Sequence, residues 1–582
     1  MRPSRSTFRP TIHPAIRPTA PPFKHAPLWL LTASLCWPLM PAGAQSLTGP
    51  LPTAAEPGRE ALRLPEPQRM GAAGVAVPQT LTTRAPAGAE ALRFTATAFA
   101  ISGVTAYPAE SLRPLYESLL GTEITVARAF EVASAIELRY RNAGFVTSRV
   151  IVPQQTIEAG VFKIVVVEGY ISEIVNKAAL GPADAAVQRL LAPLRGVRPI
   201  SLAEIERRLL LANELPGLSV RATLEPSPTE QGGSVLVVEG THRDRDVNLS
   251  LSSRTSPYLG KADVGASLAL YALGERADRL SLNLRGALPF GRSASVGAAW
   301  DGLLSADGLS AGLSTHVARS EPGLELDALG VRSLVQSGTG TLTYPLIRSR
   351  LENLRLVGEF ELRNVNTDLA GARFTRDRLR IARFGLSYDR TDDWDGITAV
   401  RVTLHQGLDF AGASRPGQAL ASRAKGQTRF TKLTTELTRV QQLQPRTSLV
   451  GSLAAQWTPS AMLASEEMAL GGSSFGRAYN DGEISADRGI AAALELRYSP
   501  ALDALPQGAQ TYAFADGGRL SASKNGVPLD RTDALASFGV GARANLASGL
   551  MVALEVAKPL KGVVRIEGNK NPRFFLSVSA QF

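Results

Sequence analysis

Apolar and polar residues alternate along the second half of the chain, from about residue 246 to residue 582. A period of two is the period of a β-strand that presents one apolar and one polar face. Clear examples are Val247–Leu251, Leu280–Leu284, Leu354–Leu362 and Val552–Val556. The polar face repeatedly carries charged side chains, so this half of the chain is predicted to form many amphipathic strands.

Two architectures place such strands differently. In a soluble sandwich the apolar face points into a core, whereas in an outer-membrane barrel it contacts lipid and the charged face lines a wet lumen. About 16 strand-like segments fall in this region, and single-chain bacterial barrels have an even number of strands. Long connections at 319–338, 408–427 and 458–487 alternate with short ones, as expected when the outward loops are the long ones. The pattern favours a transmembrane, antiparallel, roughly 16-stranded β-barrel over residues 246–582.

The alternation also assigns the two faces of the barrel wall. We expect lipid to be contacted by Leu282, Leu284, Leu356 and Leu362, and the lumen to be lined by Arg285, Arg355 and Glu361. In the last strand, Phe574, Leu576, Val578, Ala580 and Phe582 share one face and end the chain on an aromatic residue. Such a strand, with Phe574 and Phe582 as its aromatic residues, resembles the signal read by the outer-membrane assembly machinery. Outer-membrane lipid and this machinery are therefore expected partners.

Residues 93–243 have a different pattern, in which β-branched runs alternate with helical spacing. For 93–170 we predict a strand at 94–101, helices at 109–120 and 125–141, and strands at 147–152 and 161–167. For 171–243 we predict a strand at 171–176, helices at 183–191 and from 201, and strands at 219–225 and 234–239. Ser201 and Glu204 have the spacing of a capping box. We infer two copies of an α+β module with the order β-α-α-β-β.

The first 44 residues have the features of an export signal. Five basic and no acidic residues precede an apolar stretch of about 13 residues, and Ala42-Gly43-Ala44 provides a small-residue cleavage site. Residues 45–92 are rich in Pro, Ala and Gly with little periodicity, which predicts a linker or a plug segment. The single cysteine, Cys36, lies within the signal, so the mature chain suits an oxidising compartment.

Composition narrows the possible functions. The chain has 582 residues, of which 44% are hydrophobic and 20% charged, and this excludes wholesale disorder. The net charge of +11 owes about half its excess to the signal, so we expect no nucleic-acid partner. The five histidines show no catalytic or ligand spacing, and no nucleotide-binding, serine-hydrolase or zinc-protease motif occurs. We expect no catalytic residue, no metal and no cofactor, and interpret the chain as a non-enzyme.

A long motif spans residues 140–169 of the first module. Its main positions are Gly144, Phe145, Thr147, Arg149, Pro153, Gln155, Gly160, Glu168 and Gly169. The motif resembles the first POTRA domain of two-partner secretion transporters, the haemolysin secretion/activation family. The resemblance implies that these residues belong to a periplasmic POTRA module that binds a partner.

Two motifs in the barrel resemble the same family. Residues 470–479 and 483–489 are similar to its sixth outward loop, which folds back into the pore, and residues 514–518 to the strand motif that receives the loop tip. The resemblance implies that loop 458–487 folds inward and that its tip meets the strand, with Arg477 and Tyr479 on the tip and Phe514, Asp516 and Gly518 on the strand. We expect the guanidinium of Arg477 to pair directly with Asp516. The family's tip glycine is replaced here by Ala478.

The resemblance implies an outer-membrane protein of two-partner secretion. Its periplasmic POTRA modules would capture a cognate exoprotein, of adhesin, haemolysin or toxin class, and the exoprotein would cross the barrel unfolded without nucleotide hydrolysis. The alternative is a barrel assembly or insertion factor of the same superfamily, and the presence of two modules favours secretion. A passive porin leaves the modules unexplained.

Overall fold

The computed structural model describes residues 64–65, 75–76, 83–501, 505–506, 508–522 and 534–582. The predicted signal peptide and most of the predicted linker lie outside the described residues. Among the described helices, none has both the length and the apolar character needed to cross a membrane.

The first module is a small sheet covered by one α-helix. After β1 (Val75–Ala76), its elements are β2 (Arg93–Thr95), β3 (Ala98–Ser102), β4 (Glu123–Thr125), α1 (Val126–Asn142), β5 (Arg149–Ile151) and β6 (Val161–Val167). The sheet order is β3-β6-β5, with β3 parallel and β5 antiparallel to β6. The α-helix predicted at 109–120 is wrong: the segment forms short 3-10 turns at Ala109–Leu115 and Glu117–Leu119. Pro114, within the first turn, has no N–H to donate to an α-helical ladder.

The second module repeats this topology. Its elements are β7 (Tyr170–Asn176), α2 (Asp184–Leu191), α3 (Leu202–Asn213), β8 (Leu218–Pro226) and β9 (Gly233–His242). Its sheet order is β1-β8-β9-β7, again with one parallel and one antiparallel neighbour of the central strand β9. The short strand β1 adds to the edge of β8 in parallel. Ser201 caps α3 as predicted, since its hydroxyl accepts a hydrogen bond from the Glu204 backbone at 3.2 Å.

The rest of the described chain forms a closed antiparallel barrel, whose wall has 16 strands, as predicted. In chain order the strands are β10 (Arg245–Ser252), β11 (Ala262–Tyr271), β12 (Arg279–Leu288), β13 (Ser293–Leu303), β14 (Ser310–Ser320), β15 (Arg332–Arg348), β16 (Glu352–Leu369), β17 (Ala372–Thr391), β18 (Gly396–Gly407), β19 (Thr431–Gln444), β20 (Thr447–Trp457), β21 (Met468–Leu470), β22 (Ile484–Ala486), β23 (Arg488–Tyr498), β24 (Gln510–Ser521), β25 (Ala534–Ala547), β26 (Leu550–Lys561) and β27 (Arg573–Gln581). All except β21 and β22 belong to the wall. Pairing of β10 with β27 closes the barrel.

The wall places its apolar side chains outside and its charges inside. Leu282, Leu284 and Leu362 are large exposed apolar side chains, whereas Glu361 is buried and pairs with arginines in the lumen. Arg355 lines the lumen cavity. This inversion of a soluble core is what the alternation predicts for a membrane barrel.

The outward connections are less uniform than their sequence predicts. Strands β16 and β17 have 18 and 20 residues, and the two-residue turn Ala370–Gly371, with φ of 50° and 81°, joins them. Two positive φ values are typical of a tight hairpin turn of type I′. The predicted long connection at 319–338 is wrong in its bounds, because strand pairing continues to Ser320 and resumes at Arg332.

The second module packs against one end of the barrel. Ala272, Ala277 and Leu303, in or beside the turns at this end, belong to the same buried cluster as the side chains of α2 and α3. Arg348 and Arg355 of the wall pair with Glu214 at the end of α3, at 2.6 and 2.8 Å. These turns therefore mark the module side of the barrel, and the opposite connections face outward.

Candidate functional site

The connection 458–487, between β20 and β23, packs its side chains against the inner wall of the barrel. Within it, β21 and β22 form a short antiparallel ribbon. Phe475, Ala478 and Tyr479 at the end of this ribbon are among the most buried side chains of the described protein. We call residues 458–487 the inward loop and residues 475–479 its tip.

Asp516 of β24 binds the backbone of the tip. Its carboxylate accepts hydrogen bonds from the backbone N–H of Gly476 at 3.0 Å and of Arg477 at 3.2 Å, and a third from the hydroxyl of Ser537. Asp516 is buried, so these three donors compensate a charge that would otherwise be costly.

The side chain of Arg477 has different partners from those its sequence predicts. Its guanidinium pairs with Glu495 of β23 and Glu555 of β26, and it lies 3.7 Å from the centre of the Phe514 ring. The direct guanidinium pair with Asp516 is therefore wrong: the backbone of the tip already occupies Asp516, and the two glutamates lie where the fork of the arginine reaches. A planar guanidinium suits this position because it can bridge two carboxylates and, at the same time, stack on an aromatic ring.

Tyr479 and Ala478 complete the tip. The Tyr479 hydroxyl donates toward the carbonyl oxygens of Ala536 at 2.9 Å and Lys561 at 2.5 Å. The left-handed backbone residue of the turn is Gly476, with φ of 74°, and the carbonyl of Gly476 accepts the N–H of Tyr479 at 2.9 Å. Ala478 is not among the residues with positive φ and is fully buried, so alanine fits the turn in place of the family's glycine.

Gly518 provides space for the inward loop on β24. A Cβ atom at this position would lie 2.6 Å from Cδ1 of Leu470 and 2.7 Å from the carbonyl oxygen of Ile490. Phe514 and Tyr512 face the lumen from the same strand and are buried beneath the tip. The five residues predicted for the tip and its strand are thus brought together, with one pairing rearranged.

Sequence reasoning missed the two glutamates and a second arginine. Arg254 donates to the carbonyl of Arg477 at 2.6 Å and also pairs with Glu555. The signal in the sequence is an acid framed by apolar residues in a strand, as Glu555 and Glu495 both are. In a barrel wall such an acid points into the lumen, where it needs a cation.

The two ends of the inward loop are tied together and to the preceding outward connection. The amide of Gln456 donates to the carbonyl oxygens of Glu466 at 3.1 Å and Asp487 at 3.0 Å. Arg423, from the connection between β18 and β19, pairs with Asp487 at 2.6 Å and Glu467 at 3.0 Å. The loop is therefore anchored at its base as well as at its tip.

A cavity of about 1250 Å³ remains in the lumen beside the inward loop. Charged side chains of both signs line it, including Arg355, Arg401 and Glu436. Leu64 and Pro65 also line it, and Leu64 packs against the apolar cluster around the tip. A short stretch of the N-terminal region thus lies inside the barrel.

The motif of the first module mainly holds that module together. Glu168 accepts hydrogen bonds from the backbone N–H of Thr105 at 2.7 Å and Ala106 at 2.8 Å, and from the Tyr140 hydroxyl at 2.7 Å. Burial alone would raise the pKa of Glu168, but these hydrogen bonds outweigh burial and lower the pKa. Burial and the bond to Glu168 raise the pKa of Tyr140. The amide of Gln155 clamps β6, because it both donates to and accepts from the backbone of Lys163.

The remaining motif residues fall at turns and on one strand. Phe145 packs on Tyr140, and Thr147 lies against Gly169. Gly144 directly follows the C-cap of α1, and Pro153 lies two residues before Gln155. The carbonyl oxygen of Gly160 accepts a hydrogen bond from the N–H of Thr97. Arg149, on the edge strand β5, is exposed. Gly144 and Gly169 also accept backbone hydrogen bonds from Leu202 and Ile200 of the second module, at 2.9 Å each. The motif thus joins the two modules, and Arg149 is its exposed charged member.

At the other end of the chain, Phe574 on the last wall strand and Phe582 directly after it are both strongly exposed. No group of three or more His, Cys, Asp or Glu side chains within the described ranges is arranged to hold a metal ion.

Comparison with known proteins decides the family. The family model for the haemolysin secretion/activation protein ShlB/FhaC/HecB matches residues 232–544, and the ShlB-type POTRA domain model matches residues 94–169. The chain belongs to the haemolysin secretion/activation family. It is an outer-membrane transporter of the two-partner secretion type, with its POTRA modules in the periplasm.

The relatives have low sequence identity, but the matches cover most of this chain. The outer membrane transporter CdiB of Dickeya dadantii (strain 3937) is 23% identical over 60% of this chain. The match covers 62% of the length of that CdiB, which is less than two thirds of it. The heme/hemopexin transporter protein HuxB of Haemophilus influenzae (strain Rd) is 23% identical over 81% of this chain and 84% of its own. The structure of CdiB from Escherichia coli matches 87% of this chain and 94% of its own with a TM-score of 0.70 at 19% identity, which is a likeness of fold.

Proposed function

We propose that this transporter captures one cognate exoprotein with its POTRA modules and passes it, unfolded, through the barrel to the cell surface without nucleotide hydrolysis. The observation that carries the proposal is the filling of the lumen. A closed barrel whose lumen is occupied by its own loop and by Leu64 and Pro65 is suited to conditional passage rather than to free diffusion.

The charged lining of the lumen supports passage of an extended chain. The cavity is lined by cations and carboxylates from the wall, interspersed with neutral polar and apolar side chains. An unfolded polypeptide can exchange its contacts with these mixed charged, polar and apolar side chains a few at a time, so it can slide. Folding outside would then give the movement its direction.

Strand edges in the first module support capture of the exoprotein by β-augmentation, in which an extended segment adds to a sheet edge. The terminal strands of this sheet are β3 and β5. The hydroxyl of Thr83 donates to the carbonyl of Val150 in β5 at 2.5 Å, and β8 of the second module carries β1. We propose β3 as the more open edge. Arg149 and Ile151 of β5 are exposed at the opposite edge of the sheet and would contact a different part of the exoprotein.

Leu64 and Pro65 favour the plug over a free linker for the segment 45–92. They lie in the lumen cavity and not in the periplasm. We propose that this part of the chain leaves the lumen when the exoprotein enters, because both occupy the same space.

A deletion strain tests the proposal. Strains with the chain, without it, and with the Asp516→Ala variant are compared for proteins in the medium and for barrels in the outer membrane. Loss of one large exoprotein from the medium, with outer-membrane barrels unchanged, is the expected result. Depletion of many barrels would instead indicate assembly or insertion of other barrels, and an unchanged medium would refute the proposal.

A further inference from the structure

Glu466 is a buried carboxylate at the start of the inward loop, and the contacts of the tip do not involve it. It lies in the turn Ala464–Glu466 before β21 and is 2% exposed. Its Oε2 accepts from Nζ of Lys432 at 2.7 Å, and its Oε1 accepts from Nη1 of Arg363 at 2.9 Å. A carboxylate removed from water is costly unless such partners compensate it.

Its partners belong to a cationic pocket in the wall, which consists of Arg363 on β16, Arg383 on β17 and Lys432 on β19. Arg363 and Arg383 share the carboxylate of Glu361, at 2.8 and 2.6 Å. Nζ of Lys432 donates to Glu466 twice, to its carboxylate and to its backbone carbonyl oxygen at 3.3 Å. A third carboxylate, that of the partly exposed Glu359, lies 3.7 Å from Arg383. The loop therefore supplies the second fully buried carboxylate for three buried cations.

The pocket lies on a different part of the wall from the contacts of the tip. The base of the loop meets β16 and β19 through Glu466, whereas the tip meets β23, β24 and β26. One loop thus spans between two separate sets of strands, with charge pairs at both ends.

We propose that Glu466 is a positioning residue of the transporter, whose charge holds the part of the inward loop before β21 against the cationic pocket, independently of the tip. Release of the tip alone then leaves the lumen partly closed, and full opening requires Glu466 to leave the pocket. The use of this anchor in transport rests on the function proposed above, whereas the closed state of the lumen does not.

Charge rather than shape is the basis of the anchor. Replacing Glu466 by Gln keeps the size of the side chain but leaves one buried carboxylate for three cations. Replacing Lys432 by Met leaves Glu466 still paired with Arg363. The double variant restores the excess of one cation found in the wild type, because it removes one charge of each sign. Removing one partner of a buried pair is far more damaging than replacing both.

Conductance of the purified full-length protein in planar lipid bilayers tests the anchor. In Glu466→Gln we expect the time spent in large-conductance states to rise by about tenfold or more over the wild type. Lys432→Met should give a smaller rise, and Lys432→Met/Glu466→Gln should fall below Glu466→Gln alone. Asp409→Asn, which removes an exposed carboxylate from the outward connection between β18 and β19, is the matched control and should behave as the wild type.

The outcomes separate the possibilities. If Glu466→Gln conducts like the wild type, the anchor does not exist. If the double variant opens as much as Glu466→Gln or more, the effect of Glu466→Gln does not arise from an unpaired cation in the pocket, and the proposal is overturned. Should Glu466→Gln fail to form a heat-modifiable barrel, Lys432→Met still decides: it should open more often than the wild type, and wild-type conductance of Lys432→Met would overturn the proposal. No exoprotein is present in the assay, so a negative deletion-strain result would not affect this test.

Discussion

The carboxylate of Asp516 binds the backbone of Arg477 and not the guanidinium of Arg477. The N–H of Arg477 donates to Oδ2 of Asp516 at 3.2 Å, while the guanidinium lies between Glu495 and Glu555. The tip is therefore held by two chemically distinct sets of contacts. A backbone contact survives any substitution of Arg477 except proline, and the glutamate contacts do not depend on Asp516.

Hydrogen exchange measured by mass spectrometry separates these two contacts. In Asp516→Ala, the backbone N–H groups of Gly476 and Arg477 lose their acceptor, so their exchange should accelerate by about tenfold or more. In Arg477→Ala both N–H groups keep Asp516, and their exchange should change much less. Equal acceleration in the two variants would mean that the side chain and the backbone contacts form one unit.

The double variant Arg477→Ala/Asp516→Ala should release the tip more than either single variant, because each single variant leaves one set of contacts intact. Secretion of the exoprotein is the second measurement, with heat-modifiability as the control for barrel assembly. A double variant no worse than the singles would show that losing either set already frees the tip.

Arg477→Lys should be intermediate between the wild type and Arg477→Ala. An ammonium keeps the positive charge near one glutamate, but it lacks the fork that reaches both carboxylates and the plane that stacks on Phe514. Loop exchange and secretion are the measurements. Arg285→Lys, at a lumen arginine whose side chain is 69% exposed, is the matched control and should leave both unchanged. Full activity of Arg477→Lys would show that charge alone suffices.

The two faces of β12 provide a direct test of the wall. Leu284→Arg places a cation on the lipid face and should cost about 2–4 kcal/mol near the midplane, reducing the heat-modifiable fraction. Asn283→Arg, one residue away on the opposite face, should assemble normally because it points into a lumen that already holds charges. The opposite result would mean that the strand register is shifted by one residue.

Glu168 makes the stability of the first module dependent on pH. Because the pKa of Glu168 is lowered from its ordinary value of 4.5, its stabilising effect is fully present above that pH and is lost as the pH falls through the lower, folded-state pKa. Glu168→Gln should therefore destabilise the module by about 1–2 kcal/mol at neutral pH, and the difference from the wild type should shrink in acid.

Exchange of the α1 amides in the full-length protein measures this effect. Glu158→Gln, in an exposed turn of the same module, is the control and should show no such pH dependence. A constant difference between Glu168→Gln and the wild type across the pH range would exclude the charge of Glu168 as the cause.

The sequence predicts the wall better than it predicts the contacts inside it. The alternation of apolar and polar residues is a property of each single strand. Leu282, Leu284 and Glu361 are therefore assigned to the correct faces of the wall without knowing which strands lie beside them. Loop 458–487 and its tip are identified by motif. The partners of Arg477 depend on which wall strands surround the tip, and Glu495 and Glu555 lie 18 and 78 residues away along the chain.

The first module shows a second limit of sequence reasoning. Gln155 and Glu168 are polar residues within a motif, a pattern that suggests binding at the surface. Each instead accepts a hydrogen bond from a backbone N–H of its own module. A side chain that replaces a missing backbone partner has the same sequence signature as one that binds a ligand. Only the location of the Lys163 and Thr105 backbones distinguishes the two roles.

The long hairpin of β16 and β17 gives the outer mouth an uneven rim. Eighteen paired residues extend about 60 Å along the strand, and even at a tilt of about 40° they exceed the roughly 25 Å apolar band. The periplasmic end of this hairpin is fixed beside the second module by the pair of Arg350 with Glu206, so the excess height stands outside the cell. If the exoprotein leaves through this mouth, as proposed above, it meets a stiff wall of paired strands on the side of β16 and β17 and loop connections on the other sides, so it has room to fold only away from that wall.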